Sequence, residues 1–81
     1  MKKDLAIPLP SAENGVLCRV VRMETKEPLR RRLRELGLIE GTLITKIYSA
    51  PFGDPSAYVF CGAVTAIRGK DAEGIFVEIC G

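Results

Sequence analysis

The 81-residue chain has no histidine and no tryptophan, and its aromatics are limited to two tyrosines and three phenylalanines. Without histidine it lacks the usual general base near neutral pH and the commonest transition-metal ligand, so Ser-His-Asp and Cys-His catalysis are excluded. The three cysteines, Cys18, Cys61 and Cys80, contain no C-x-x-C pair that would preorganise a metal. An odd number of isolated thiols with apolar neighbours reads as reduced strand or core residues, not as a secreted disulfide scaffold. Long apolar runs are missing too. The most apolar stretch, residues 57–67, is interrupted by Gly62 and Thr65 and falls well short of the ~20 residues a membrane-spanning helix needs. The opening Met1-Lys2-Lys3-Asp4-Leu5-Ala6-Ile7-Pro8 has no apolar segment of signal-peptide type. These absences predict a soluble, cytoplasmic protein.

Catalytic patterns are missing as well. Asp54, Asp71, Glu73 and Glu78 are scattered, with no spacing that pairs two carboxylates for acid–base work. Gly69-Lys70-Asp71 is an isolated Gly-Lys and not a phosphate-binding loop. The chain is therefore expected not to be an enzyme and to hold no tightly bound cofactor.

What is present fits one small domain over residues 1–81, with its core at about 7–80. At 47% hydrophobic and 27% charged the composition is that of a folded domain, although one this size buries only about 60–65% of its unfolded surface. The net charge of +2 conceals a strong asymmetry. Residues 19–34 carry Arg19, Arg22, Lys26, Arg30, Arg31, Arg32 and Arg34 against Glu24 and Glu27, a local charge of +5 that leaves −3 on the remainder. One side of the domain is predicted to be positive and suited to an acidic surface or to nucleic acid.

Apolar alternation and β-branched residues predict strands at about 16–22, 42–49, 57–61, 64–68 and 75–80. Between the first two, Leu29, Leu33 and Leu36 recur at helical spacing, predicting one α-helix with those leucines on its buried face. Thr25 is the expected N-cap and Gly37 the left-handed stop, with Leu38 folding back. Arg30, Arg31 and Arg34 then face solvent, and Arg31 is four residues from both Glu27 and Glu35. Either a solvated face with intrahelical ion pairs or a partner-binding face fits this pattern. Residues 69–74 form a turn with room for one helical turn. Tyr48, Phe60 and Phe76 fall on strands, where aromatics usually pack in the core, whereas Phe52, between Pro51 and Gly53, is a candidate contact residue on a loop. The fold expected is mainly β: a small, partly open barrel of about five strands.

The order of these segments resembles the FeoA family. The resemblance rests on Ile7-Pro8-Leu9-Pro10 leading to Asn14-Gly15, on the helix and stop from Leu29 to Leu38 with Glu40-Gly41 after it, on Ala50-Pro51-Phe52-Gly53-Asp54-Pro55, and on Gly74-Ile75-Phe76-Val77-Glu78. Its most specific parts are R-x-L-x-x-L-G-L-x-x-G, from Arg31 to Gly41, and A-P-x-G-D-P. It implies an SH3-like barrel that accompanies a bacterial ferrous-iron (Fe2+) transporter of the FeoB type, a membrane permease with a cytosolic GTP-binding domain. The chain would reach the membrane only through that partner, and no nucleic acid is expected. Arg30, Arg31, Arg34 and Phe52 are the partner-binding candidates. No metal ligands are assigned, since Fe2+ association finds no support in ligand spacing. A small basic nucleic-acid-binding barrel, using Tyr48, Tyr58 and Phe52, and a transition-metal-responsive domain are the competing readings.

Overall fold

Val, Ile, Leu and Tyr at alternate positions give the chain five strand-forming runs, and a sixth, two-residue strand forms where Ile7 and Pro8 lie against the last of them. The computed structural model describes residues 5–80; the N-terminal sequence from Met1 to Asp4 and Gly81 lie outside the described residues. In chain order the elements are β1 (Ile7–Pro8), a 3-10 turn (Leu9–Ser11), β2 (Leu17–Met23), α1 (Leu29–Glu35), β3 (Leu43–Ser49), β4 (Ser56–Phe60), β5 (Ala63–Ile67), α2 (Gly69–Ala72) and β6 (Ile75–Ile79). All strand pairs are antiparallel, in the order β1-β6-β2-β3-β4-β5. The mainly β expectation holds. The strand count rises from about five to six because Ile7 and Pro8 pair with Val77 and Phe76, and α1 therefore follows the second strand.

Two bulges curve this sheet. The register slips between Val20 and Arg22 in β2, and between Lys46 and Tyr48 in β3. An inserted residue bends its strand and reverses the facing of the residues after it. The second bulge therefore overturns the expected core role of Tyr48, which is 58% exposed. Tyr58, opposite Lys46 on β4, is buried instead, at 1% exposure. The concave side collects Leu9, Val20, Leu33, Ile44, Phe60, Ile75 and Val77 into a single apolar cluster. Lys46 also points to this side. Its Nζ donates to the carbonyl of Pro10 at 2.7 Å, which gives the buried amine a partner.

The helix is shorter than the leucine spacing predicts. Thr25 does not cap it, because Glu24 is still paired with the sheet, its N–H donating to the Gly74 carbonyl at 2.6 Å. Thr25 follows that pairing into the interior. Pro28 disfavours helical angles in the residue before it, and regular helix starts at Leu29. Glu27 supplies the missing cap: its carboxylate accepts the Arg31 backbone N–H at 3.2 Å. The expected Glu27–Arg31 contact thus forms through the main chain and not as a side-chain ion pair.

Candidate functional site

The helix stop positions the basic face. The Gly37 N–H donates to the Arg34 carbonyl at 2.9 Å, and the Leu38 N–H reaches back to the Leu33 carbonyl at 2.9 Å. With Gly37 at φ +98, these bonds form a Schellman motif, which turns the chain under the helix and buries Leu38. Leu38 takes the core position expected of Leu36. Leu36, on the last turn at the rim, is 49% exposed, a correction to the three-leucine face.

Beyond the stop, the Thr42 hydroxyl donates to the Gly37 carbonyl at 2.8 Å and accepts the Ile39 N–H at 3.1 Å. This fixes residues 37–42 as a rigid corner beside α1. A groove of about 380 Å³ opens there, lined by Met23, Arg30, Arg34, Leu38, Ile39 and Glu40. The structure therefore places Arg30 and Arg34, one turn apart on α1, in one groove with the apolar Met23, Leu38 and Ile39, and leaves Arg31 outside it. Among the described residues, none of these three arginines forms an ion pair; the cation engaged nearby is Arg22, bonded to Glu24 at 2.7 Å and stacked on Phe76 at 4.2 Å. Sequence reasoning missed Met23, Ile39 and Glu40. The signal for Ile39 was the Gly37-Leu38 pair, because a residue that comes after an inward-turned C″ position emerges beside the helix.

Phe52 stands apart from that groove, on the β3–β4 loop. A tight turn, Gly53 N–H to Ala50 carbonyl at 2.7 Å, forms the tip, and the Ala50 N–H to Pro55 carbonyl bond at 3.0 Å closes the base. The Asp54 carboxylate accepts the Gly69 N–H at the start of α2, so the loop is tied to α2 and not to α1. Phe52 is held fully outside, at 98% exposure.

The thiols are not assembled into a site. Cys18 is buried in β2, Cys80 follows β6, and Cys61, expected in a strand, occupies the β4–β5 turn. Burial, with Cys80 nearby as a smaller contribution, pushes the Cys18 thiol above its ordinary value. Burial also raises Tyr58, partly offset by the Ser56 hydroxyl. Among the described residues no cluster of three or more Cys, Asp or Glu side chains is placed to hold a metal ion, and no helix is long and apolar enough to cross a membrane.

A family model described as the FeoA domain matches residues 7–79. The Fe(2+) transport protein A/Fe(2+) transporter FeoB fusion protein of Porphyromonas gingivalis is 35% identical over 60 residues, which cover 74% of this chain and 7% of that protein. The chain thus spans only a small part of that relative's length. The solution structure of the FeoA protein from Chlorobium tepidum superposes with a TM-score of 0.88 at 32% identity, covering 93% of this chain and 71% of that one. A zinc-complexed FeoA from Stenotrophomonas maltophilia, described as a procaryotic SH3 domain protein, shares the fold at 23% identity and a TM-score of 0.76, over 86% of this chain and 87% of that one.

Proposed function

The chain belongs to the FeoA family, and from that membership we propose that it is an accessory domain of ferrous-iron uptake that docks on the cytosolic GTP-binding part of a FeoB-type membrane transporter. The observation that carries this reading is the groove that Arg30 and Arg34 line together with the apolar Met23, Leu38 and Ile39. The fusion of the two named proteins in Porphyromonas gingivalis supports pairing this chain with such a transporter.

An exposed ion pair contributes only about 0.2–1 kcal/mol, so the arginines alone would give weak adhesion. The groove adds what they lack. A partner side chain seated on Ile39 and Met23 would exclude water while its neighbouring carboxylates meet Arg30 and Arg34, the combination of apolar anchor and guanidinium typical of binding hot spots. Glu40 at the rim disfavours a purely acidic segment and so adds register. Phe52 is a second, separate contact, presented by a loop that Asp54 already holds in place, so little ordering entropy is lost on docking.

Fe2+ is the transporter's cargo in this account. The chain acts in the cytoplasm by contact and not by catalysis, and it holds no iron tightly. The direct test is a calorimetric titration of the full chain into the transporter's purified cytosolic GTP-binding part. Saturable one-to-one binding supports the reading, and no heat or complex at high micromolar concentration overturns it.

A further inference from the structure

β5 ends the sheet, and its outer edge carries none of the usual guards. The strand Ala63-Val64-Thr65-Ala66-Ile67 contains no charge and no proline, although edge strands are commonly protected by Lys, Pro or a bulge. Its register with β4 is unbroken from Phe60↔Ala63 to Ser56↔Ile67. The two-residue turn Cys61-Gly62, with φ of +53 and +79, makes Phe60–Ala63 a hydrogen-bonded pair. Alternation then assigns the bonds to β4 to Ala63, Thr65 and Ile67 and turns the N–H and C=O groups of Val64 and Ala66 outward. Among the described residues those outward groups have no backbone partner.

A groove of about 340 Å³ runs beside this edge. Its lining combines Thr65, Ala66, Ile67 and Arg68 from the end of β5 with Leu29, Arg32 and Leu33 of α1 and Leu36 just past the helix end. Three consecutive β5 residues, Thr65, Ala66 and Ile67, whose side chains alternate between the two faces, line it together, so the groove reaches the strand's edge and is not confined to one face. The half-exposed Leu36 offers an apolar contact inside it. Two arginines, Arg32 and Arg68, against Asp71 give its lining a net positive charge. We infer that the β5 edge is a β-augmentation site that accepts an extended partner segment with alternating apolar residues and acidic flanks. The segment's main chain pairs with Val64 and Ala66, its inward side chains meet Leu36, and its carboxylates meet Arg32 and Arg68. A second copy of this chain fits less well. Its β5 carries no acid, and two-fold pairing would bring Arg32 and Arg68 of both copies to one seam. This site is separate from the Arg30/Arg34 groove and does not depend on docking there.

The test uses the full chain with a capped eight-residue peptide of alternating valine and threonine bearing a glutamate at each end. A second peptide is N-methylated at consecutive residues through its centre, which blocks both of its hydrogen-bonding edges, so that it cannot pair. Saturable binding is expected, with amide exchange at Val64 and Ala66 slowed, and at least about tenfold weaker binding of the methylated peptide, equivalent to about 1.4 kcal/mol. Val64→Pro, which removes one outward N–H, should abolish the interaction. Because that variant can also disturb folding, Arg32→Glu on the exposed helix flank serves as a second one, and it should weaken binding in a salt-dependent way. Three results overturn the inference: no binding, equal binding of the methylated peptide, or a concentration-dependent dimer that itself protects Val64 and Ala66.

Discussion

The Sγ of Cys61 lies 3.5 Å from the carbonyl oxygen of Gly37, joining the turn between β4 and β5 to the end of α1. The approach is close enough that a Cβ at position 37 would stand 2.6 Å from the sulfur. Gly37→Ala therefore meets two penalties, the clash and a φ of +98, and the φ alone costs about 1–2 kcal/mol. Thermal unfolding should drop by roughly 5–15 °C, at about 4–8 °C per kcal/mol for a domain this size. In the Gly37→Ala/Cys61→Ala double variant the clash is relieved but the φ penalty stays, so recovery is partial. Full recovery would show that the backbone angle contributes nothing.

Cys61 is itself in the left-handed region, at φ +53, the first central position of a hairpin turn that favours Asn or Gly. Cys61→Asn should leave the fold unchanged and raise stability by a few tenths to about 1 kcal/mol, measured by denaturant titration. A loss of more than about 1 kcal/mol would mean that the thiol's contact with Gly37 outweighs the turn preference.

The buried Oγ1 of Thr25 has no hydrogen-bond partner among the described residues, and Gly74 packs against it, leaving only 3.1 Å for a Cβ. Replacing an unsatisfied buried hydroxyl by a methyl of similar shape is neutral or stabilising. Thr25→Val should keep the melting temperature or raise it by the equivalent of about 1 kcal/mol. Gly74→Ala should lower it.

Cys18 gives a pH signature. Its thiol is raised above the ordinary value of 9.0 by burial and by Cys80, so the folded chain holds this proton more tightly than the unfolded chain does. The corresponding stability is fully present below about pH 9 and is lost as pH rises through the folded value. Melting temperature should be insensitive to this group between about pH 7 and 8.5 and fall above about 9. Cys18→Ala should melt lower overall, from the cavity, but with a shallower decline in the alkaline range. Tyr58, raised in the same direction, adds to the decline at higher pH and keeps it from vanishing.

These residues also show what the sequence made legible. Alternation in β2 and β6 and the Gly37-Leu38 stop were readable because each depends on neighbours in the chain. The Tyr48–Tyr58 exchange was not, because Ile47 and Tyr48 are both apolar and nothing local marks the slip between Lys46 and Tyr48. The failure of Thr25 as a cap has the same origin, since its fate is set by Gly74, far along the chain. Of the partner-binding candidates, the positions of Arg30 and Arg34 on one flank followed from helical spacing. Their apolar neighbours in the groove, Met23 and Ile39, came from tertiary folding.

The most direct measurement of the central claim is the affinity of the Arg30→Glu/Arg34→Glu variant for the cytosolic GTP-binding part of a FeoB-type transporter, at low and high salt, beside Arg31→Glu. Both arginines are exposed, so the double variant should melt as the parent does. The account predicts binding at least about tenfold weaker for the double variant, a loss of about 1.4 kcal/mol or more. It also predicts a flatter salt dependence than the parent's, and a smaller effect of Arg31→Glu, which lies outside the groove. Equal affinity of parent and double variant would contradict it.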